Sequence, residues 1–424
     1  MISYNERYCN GGEDVKKRDL LFLEVLRAAL RNEPLKSKIE PELLDPLLQL
    51  AQQHHVLPMV YEVLYASGVT PAIDPVVAEQ LRRINIHSVM GQAVKTVDFL
   101  KLSQHLRAEG IRALVVKGIV CRSLYPMPDH RGSGDEDLLC GEAQFQNCHE
   151  AMVRFGMKPE GSLESYEVSY EKPDSPLYIE LHKTLFAGNS DVFNDYNRFF
   201  EQALERSVDV EIRGMPVATL CPTDHMLYLI IHAYKHFLHS GFGIRQVCDM
   251  ALFGNAYGGD IDWDYVYDCC RSIRADKFAG ALLKIGEKYL VFSPEKAEIS
   301  QVWKDISVDE EPLLLDMLQG GIYGSADLTR VHTSNITINA VAAQKKGQKA
   351  GGNVIRTIFP KARALENQYP YLRRRKYLLP VAWTSRFVSF AKESVAKPES
   401  PSEVLRTGSK RVELLKLYDI IDGN

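Results

Sequence analysis

The sequence has no hydrophobic run long enough to cross a membrane and no marked excess of charge of either sign. No window approaches the ~18 continuous apolar residues of a membrane-spanning helix. The polar N-terminal stretch MISYNERYCNGGEDVKKRDL also lacks the apolar segment of a signal peptide. With 51 Lys and Arg against 55 Asp and Glu, the net charge of −4 gives no general attraction to nucleic acid or to membranes. We therefore expect a cytoplasmic protein without a transmembrane segment.

Cysteines at metal-binding spacing are missing too. The 8 cysteines are scattered, no Cys-x-x-Cys pair occurs, and Cys269 and Cys270 are neighbours in a helical-looking segment. This usage favours buried thiols in a reducing compartment over disulfides or a zinc ribbon. A chain of 424 residues is too long for one simple core, so we expect two or three domains.

Helical periodicity fills the first hundred residues and returns after Cys221. Stretches such as DLLFLEVLRAALRN carry apolar residues at three- and four-residue steps. Between the helical parts, IRALVV predicts a buried strand that ends in the tight turn Lys117-Gly118, and GIVCRSLY predicts a short helix. The segment PTDHMLYLIIHAYKHFLHSG begins with good helix-start chemistry at Pro222.

An acidic cluster, GDEDLLC, follows this short helix. Asp135, Glu136 and Asp137 stand directly before two leucines. If the stretch is a strand, Asp135 and Asp137 share one face and Glu136 points to the other. Two neighbouring carboxylates repel each other unless a cation lies between them, and magnesium takes oxygen ligands. The alternative is a solvated acidic loop ahead of a strand.

A third acid lies on a second predicted strand, YIELH. Ile179 and Leu181 alternate with Glu180 and His182, so the apolar pair predicts a core face and the polar pair the opposite face. The preceding residues predict a hairpin whose turn contains Lys172-Pro173-Asp174. A lone Glu on such a strand is usually solvated. In one sheet with the Asp-x-Asp strand, however, Glu180 supplies a third carboxylate.

Taken together, VVKGIVCRSLYP…RGSGDEDLLC, YIELH and CPTDHMLYLIIHAYKHF resemble a bacterial family of uncharacterised nucleotidyltransferases in the polymerase β-like superfamily. The helical stretch LLQLAQQHHVLPMVYEVL and the later YPYLRRRKYLLPVAWTSR extend the resemblance from about residue 43 to 386. It implies an α+β fold, with a mixed sheet flanked by helices and with N-terminal and C-terminal helical regions. It also implies two Mg²⁺ or Mn²⁺ ions and transfer of a nucleoside monophosphate from a nucleoside triphosphate, such as ATP, to an acceptor. Pyrophosphate is released, and the acceptor is a small molecule, a protein or RNA.

The resemblance also implies site residues and regions. Asp135, Asp137 and Glu180 would be catalytic metal ligands, with Glu180 as ligand or general base. The residues placed at the triphosphate are Lys117, Gly118, Arg131, Ser133, Lys235 and Arg245. We expect an N-terminal helical region over 1–95, the catalytic core over 96–220, a helical domain over 221–324, and a linker with a basic helical tail over 325–424.

Two departures from the family pattern favour an alternative function. Gly118 is followed by Ile119, which offers no hydroxyl, and Glu136 stands where an apolar residue is usual. Because an unpaired buried carboxylate is costly, the alternative is a catalytically degenerate protein that binds nucleotide or docks a partner. Since Glu136 points away from the aspartates, we expect Glu136→Leu to leave triphosphate binding intact and to stabilise the fold.

Two further features carry weaker interpretations. His225, His232, His236 and His239 fall near one helix face, but the His-Glu-x-x-His signature is absent, so packing against the sheet is favoured over a metal site. The four cations Arg373 to Lys376 predict a surface for nucleic acid, acidic lipid or acidic protein, or a solvated helix face. Before them, TSNITINAVAAQKKGQKAGGN is typical of a mobile linker.

Overall fold

A computed structural model describes residues 16–422 apart from 70–72, 189, 191, 240, 322–327, 346–368, 374 and 386–400. Helices precede, interrupt and follow a single sheet. Up to the end of the sheet they are α1 Lys17–Arg31, α2 Pro41–Gln53, α3 Leu57–Ala66, α4 Pro75–Ala108, α5 Gly118–Ser123 and α6 Phe145–Arg154. After the sheet they are α7 Pro222–His239, α8 Arg245–Tyr257, α9 Trp263–Ser272, α10 Asp276–Tyr289, α11 Gln301–Lys304, α12 Glu311–Gly320, α13 Leu328–Lys345 and α14 Pro401–Leu417.

Seven strands form one mixed sheet in the order β3-β4-β5-β2-β1-β7-β6. Their bounds are β1 Leu114–Val116, β2 Glu136–Leu139, β3 Lys158–Glu160, β4 Glu167–Glu171, β5 Tyr178–His182, β6 Val208–Ile212 and β7 Met215–Thr219. In the centre, β2 pairs antiparallel with β1 and parallel with β5, and β1 pairs parallel with β7. The predicted α+β class, a mixed sheet flanked by helices, is confirmed.

Both faces of the sheet are covered at the central strands β1 and β2. Every residue of β1 and of β2 is buried, which includes Glu136 and Asp137. The predicted hairpin is also confirmed, since β4 and β5 pair antiparallel around the Lys172-Pro173-Asp174 turn. Asp174 takes a φ of 61° there, in the left-handed region that Asp tolerates better than most residues.

Helix α7 lies against the sheet and is buried along most of its length. It contacts α8, α9 and α13, so it joins the sheet to the helices that follow. Most of the buried apolar residues form one core that runs from Leu21 in α1 to Ile421 after α14, and Leu372 and Ala382 form a separate small cluster. The division into four regions stays a prediction.

The region beyond residue 325 differs from the expected linker. Residues 328–345 form α13, which packs on α7 and α14 and buries Ala340 and Val341, so the linker prediction is wrong for this stretch. Residues 346–353 of that segment lie outside the described residues, as does Arg374 of the basic tail. Arg375 and Lys376 are exposed. Among the described helices, none has the length and hydropathy of a membrane span.

Candidate active site

Two of the three predicted carboxylates meet because β2 and β5 run parallel in register. Asp137 stands opposite Glu180, and Leu139 stands opposite His182. Asp137, Glu180 and His182 each offer one ligand atom, and these atoms lie within 4.8 Å of one another. The His182 Nε2 atom lies 3.3 Å from Asp137 Oδ1 and 3.9 Å from Glu180 Oε2. We call these three residues the ligand cluster.

Asp135 is not part of the ligand cluster. It precedes β2, which begins at Glu136, and it is half-buried. Its charge nevertheless acts on the cluster, because it contributes to raising the pKa of Glu180. His182 takes the third place that the sequence analysis gave to Asp135. The signal for it was present, since strand alternation puts His182 on the same face as Glu180.

Lys117 reaches the ligand cluster from the turn after β1. Its Nζ lies 2.8 Å from Asp137 Oδ2 and 3.3 Å from His232 Nε2. The residue has a φ of 66°, which is uncommon for a side chain of this size. Its backbone N–H donates to Nε2 of the buried His225 on α7 at 2.9 Å, and this bond helps to hold the unusual turn.

The two carboxyl groups of the ligand cluster have pKa values that are pushed apart. Burial alone would raise the pKa of Asp137, but the Lys117 ammonium and the His182 hydrogen bond outweigh it and hold this pKa well below its usual range. Burial, and then the charge of Asp137, raises the pKa of Glu180 to about 7. One carboxylate therefore stays ionised at neutral pH while the other exchanges a proton. Such a pair is typical of acid–base chemistry.

Helix α7 adds basic side chains beside the cluster. His232 and His236 bring their Nε2 atoms to 3.2 Å, and burial lowers the pKa of both well below the usual range, so both rings are neutral. Lys235 also has a lowered pKa because it is buried, although Glu167, Asp137 and Glu180 act in the opposite direction. Its ammonium is therefore within electrostatic reach of the cluster. His225 and His232 contact Lys117, in agreement with the packing interpretation of these histidines.

A family model described as "Uncharacterised nucleotidyltransferase" matches residues 40–290, which is more than half of the chain. The chain belongs to this nucleotidyltransferase family. It also matches the crystal structure of an antigenic nucleotidyltransferase-like protein from Paracoccidioides brasiliensis, with 13% identity over 48% of this chain and 95% of that chain. The TM-score of 0.31 is too low for that likeness to support an argument. No curated protein matches the chain.

In this nucleotidyltransferase, the unusual Glu136 is paired. One of its oxygens accepts the Ile119 backbone N–H at 2.7 Å, and the other lies 2.8 Å from Arg122 Nη2. The Arg122 and Glu136 side chains are 1% and 0% exposed. A Cβ on Gly118 would lie 1.9 Å from Glu136 Oε2, so only glycine fits at this point of the turn. Glu136 therefore binds the turn that carries Lys117, and the sequence analysis missed its partner Arg122.

The loop over 131–134 is fastened by the same buried network. The Ser133 hydroxyl accepts a hydrogen bond from Arg122 Nη1 at 2.9 Å. The Ser133 and Gly134 carbonyls accept from the buried Lys95 ammonium at 2.8 and 2.6 Å. Burial lowers the pKa of Lys95 to about 8, although the charge of Glu136 counteracts part of the effect. Lys95 was also missed in the sequence analysis.

The cations predicted at the triphosphate fall into two groups. Lys117 contacts the ligand cluster, and Lys235 lies within electrostatic reach of it. Arg131 is 2% exposed and makes two hydrogen bonds with Asp249, at 2.9 and 2.6 Å, while Tyr125 also donates to Asp249. Arg245 donates to the Gly132 carbonyl. Asp249 and Arg245 lie one turn apart on α8. The Arg131–Asp249 pair and the Arg245–Gly132 hydrogen bond therefore hold the 131–134 loop to α8.

Proposed function

We propose that this nucleotidyltransferase transfers a nucleoside monophosphate from a nucleoside triphosphate to an acceptor and releases pyrophosphate. The supporting observation is the β2–β5 register, which sets Asp137 against Glu180 beside the Lys117 ammonium. Phosphoryl chemistry of this kind depends mainly on positioning and on neutralising the charge of the phosphates. A cluster of carboxylates next to lysines suits both demands.

The residues present fit a divalent metal ion. Two carboxylates suit Mg²⁺ or Mn²⁺, and the imidazole of His182 adds a nitrogen donor. Asp137, Glu180 and His182 would hold the ion, with Asp135 close by in the chain. A metal bound there supplies electrostatic stabilisation and orientation of the phosphate oxygens.

The protein's own side chains neutralise charge and transfer the proton. Lys117, in the turn after β1, and Lys235, on α7, provide positive charge for the triphosphate. As the alternative to holding the ion, Glu180, whose pKa is raised to about 7 in the metal-free cluster, accepts the proton of the acceptor hydroxyl as a general base. The Glu136–Arg122 pair keeps the Lys117 turn in place but touches none of the reacting groups.

The direct test is transfer of label from each α-³²P-labelled nucleoside triphosphate to components of a cell extract, with MgCl₂ or MnCl₂. We expect Glu180→Gln to retain triphosphate binding and to lose ~10²–10⁴ of the rate, because the change removes the base but keeps the shape. Glu205→Gln, at an exposed glutamate outside the site, is the matched control. A Glu180→Gln enzyme with the parent's turnover would remove Glu180 from the mechanism.

The second candidate is a nucleotide-binding or partner-docking protein without catalysis. It is favoured by the contacts of Asp137, whose oxygens already face Lys117 and His182, so a metal ion must compete with an ammonium. Calorimetric titration of the parent and of Asp135→Asn/Asp137→Asn, with and without magnesium, separates the two candidates. Metal-dependent affinity that the double variant loses supports the enzyme. Equal affinity in both proteins supports the binding protein.

A further inference from the structure

Glu167, at the start of β4, lies next to the ligand cluster without being one of its members. In the antiparallel pairing of β4 with β5, it stands directly opposite His182. Directly opposed residues put their side chains on the same face of a sheet, with Cβ atoms about 4.5–5.5 Å apart. The face that carries Asp137 and Glu180 therefore continues onto a third strand, where it ends in another carboxylate.

The two ring nitrogens of His182 have different neighbours. Nε2 lies 3.3 Å from Asp137 Oδ1, whereas Nδ1 lies 3.7 Å from Glu167 Oε2. This Nδ1 atom is buried, and no described residue offers it a hydrogen-bond partner. The distance of 3.7 Å is too long for a hydrogen bond, but a side-chain movement of about 0.5 Å would bring the Glu167 carboxylate into range.

Glu167 also acts on two other side chains. Burial, and then the charge of Glu167, raises the pKa of the Tyr166 phenol. Burial lowers the pKa of Lys235, and Glu167 opposes that effect more strongly than Asp137 does. Balancing the charge of Lys235 is therefore the simpler role for Glu167, and an experiment on Glu167 has to distinguish it from a role that acts through His182.

A ring nitrogen binds a metal ion through its lone pair. If His182 serves the ligand cluster through Nε2, the proton of the neutral ring must be on Nδ1, which faces Glu167. Histidine ligands usually donate this second N–H to a carboxylate, a carbonyl or water. Such a bond fixes the tautomer and the orientation of the ring and makes the ligating nitrogen more basic.

We propose that Glu167 is a positioning residue for the metal ion. Its carboxylate accepts the Nδ1–H of His182 and so presents the Nε2 lone pair to the ligand cluster. This inference rests on the metal-binding part of the proposed function and not on the transfer reaction. Glu167 acts through His182 and does not itself ligate the ion.

Metal affinity is measured with MnCl₂ alone, from the electron paramagnetic resonance signal of free Mn²⁺. We expect Glu167→Ala to weaken Mn²⁺ binding about 10–100-fold, the usual cost of losing such a partner. Glu167→Gln should lose less, because its amide oxygen still accepts the Nδ1–H. The matched control is Glu171→Ala, at an exposed glutamate on the same face of β4 but opposite Tyr178, and it should bind Mn²⁺ like the parent.

A double-mutant cycle with His182→Phe separates positioning from the other roles. Phenylalanine keeps an aromatic ring but has no nitrogen. If Glu167 acts through His182, Glu167→Ala should change the Mn²⁺ affinity of the His182→Phe protein by less than about twofold. An equal loss with and without His182 would mean that Glu167 binds the ion directly or acts only by its charge, and the proposal would be overturned.

The tautomer of the His182 ring gives a second readout, which does not depend on Mn²⁺ binding by His182→Phe. Nuclear magnetic resonance of ¹⁵N-labelled histidine reports it at mildly alkaline pH, with MgCl₂ as the diamagnetic ion, and the His182 signals are those that His182→Phe lacks. We expect MgCl₂ to bring the parent ring to the Nδ1–H form, and Glu167→Ala to need a higher MgCl₂ concentration. A parent ring that stays in the Nε2–H form at saturating MgCl₂, or a Glu167→Ala ring that follows the parent at every concentration, refutes the proposal.

The outcomes for the metal site and for the transfer reaction are separable. If the parent transfers no label but its Mn²⁺ affinity depends on Glu167 as expected, the transfer reaction fails and the positioning role stands. If the parent transfers label and Glu167→Ala binds Mn²⁺ as tightly as the parent, the positioning role fails and the transfer reaction stands. A parent that binds no Mn²⁺ overturns the metal site, and the role of Glu167 with it.

Discussion

Replacing Glu136 by leucine should strongly destabilise the protein, although the sequence analysis predicted a gain. The carboxylate is fully buried and meets three donors, which are the Ile119 N–H, the Arg122 guanidinium and the Ser133 hydroxyl. Leucine accepts from none of them. The Arg122 side chain, 1% exposed, would then keep its charge beside the neutral oxygens of Gln92 and Ser133 but without its carboxylate partner.

The size of the effect follows from these contacts. Breaking a buried ion pair by removing one partner costs about 3–5 kcal/mol, because it leaves an uncompensated charge. The Ile119 N–H, left without its acceptor, adds about 1–3 kcal/mol where water cannot reach it. Because such terms are not additive, we expect a loss of at least about 3 kcal/mol in the free energy of unfolding. Glu136→Gln keeps an acceptor for the Ile119 N–H and should lose less.

The assay is urea unfolding, followed by tryptophan fluorescence and circular dichroism, of the parent and matched variants. Glu205→Leu makes the same change at an exposed position and should stay within about 0.5 kcal/mol of the parent. The double variant Glu136→Leu/Arg122→Met removes both charges, and it should recover part of the loss, because a buried pair can often be replaced by apolar residues. If Glu136→Leu has the same midpoint of urea unfolding as the parent, the buried pair does not stabilise the protein and this reasoning is refuted.

Three further predictions concern the metal, the turn and acid sensitivity. Calorimetry with MnCl₂ and the preferred triphosphate should show a larger loss of affinity for Asp137→Asn, inside the ligand cluster, than for Asp135→Asn, outside it. Gly118→Ala should cost ~1–3 kcal/mol in urea unfolding, because its Cβ would lie 1.9 Å from a buried carboxylate oxygen at a φ of +30°. Gly91→Ala, with open space in α4, should instead gain ~0.5–1 kcal/mol. Burial lowers the pKa of His54 from 6.5 to about 4, so the unfolded chain binds the extra proton between these values. The free energy of unfolding is therefore about 3 kcal/mol higher above pH 6.5, where His54 is neutral in both states, and this difference is lost as the pH falls towards 4. His54→Gln should flatten that part of the plot of stability against pH.

The fold was largely predictable because its elements follow simple periodicities. The strands around Val115 and Leu138, the hairpin into β5 and helix α7 all occur where alternation or helical spacing placed them. The linker prediction failed at α13 because its polar, small residues have weak hydrophobic periodicity, whereas packing against α7 and α14 decides its structure. Tertiary contacts of this kind leave little trace in a local pattern.

The alternation of side chains between the two faces of a strand, here called parity, was enough to predict only part of the site. It correctly placed Glu136 and Asp137 in different surroundings. It could not identify their partners, because these lie outside β2: Arg122 on α5 and Lys117 in the turn. Glu136 accepts the Ile119 backbone N–H, and Asp137 pairs with the Lys117 ammonium. Two adjacent residues of β2 therefore bind the two ends of the short turn over 117–119. The position of the Lys117 ammonium therefore depends on the buried pair on the far face. A change at Glu136 should for this reason weaken triphosphate binding as well as stability, contrary to what parity alone suggests.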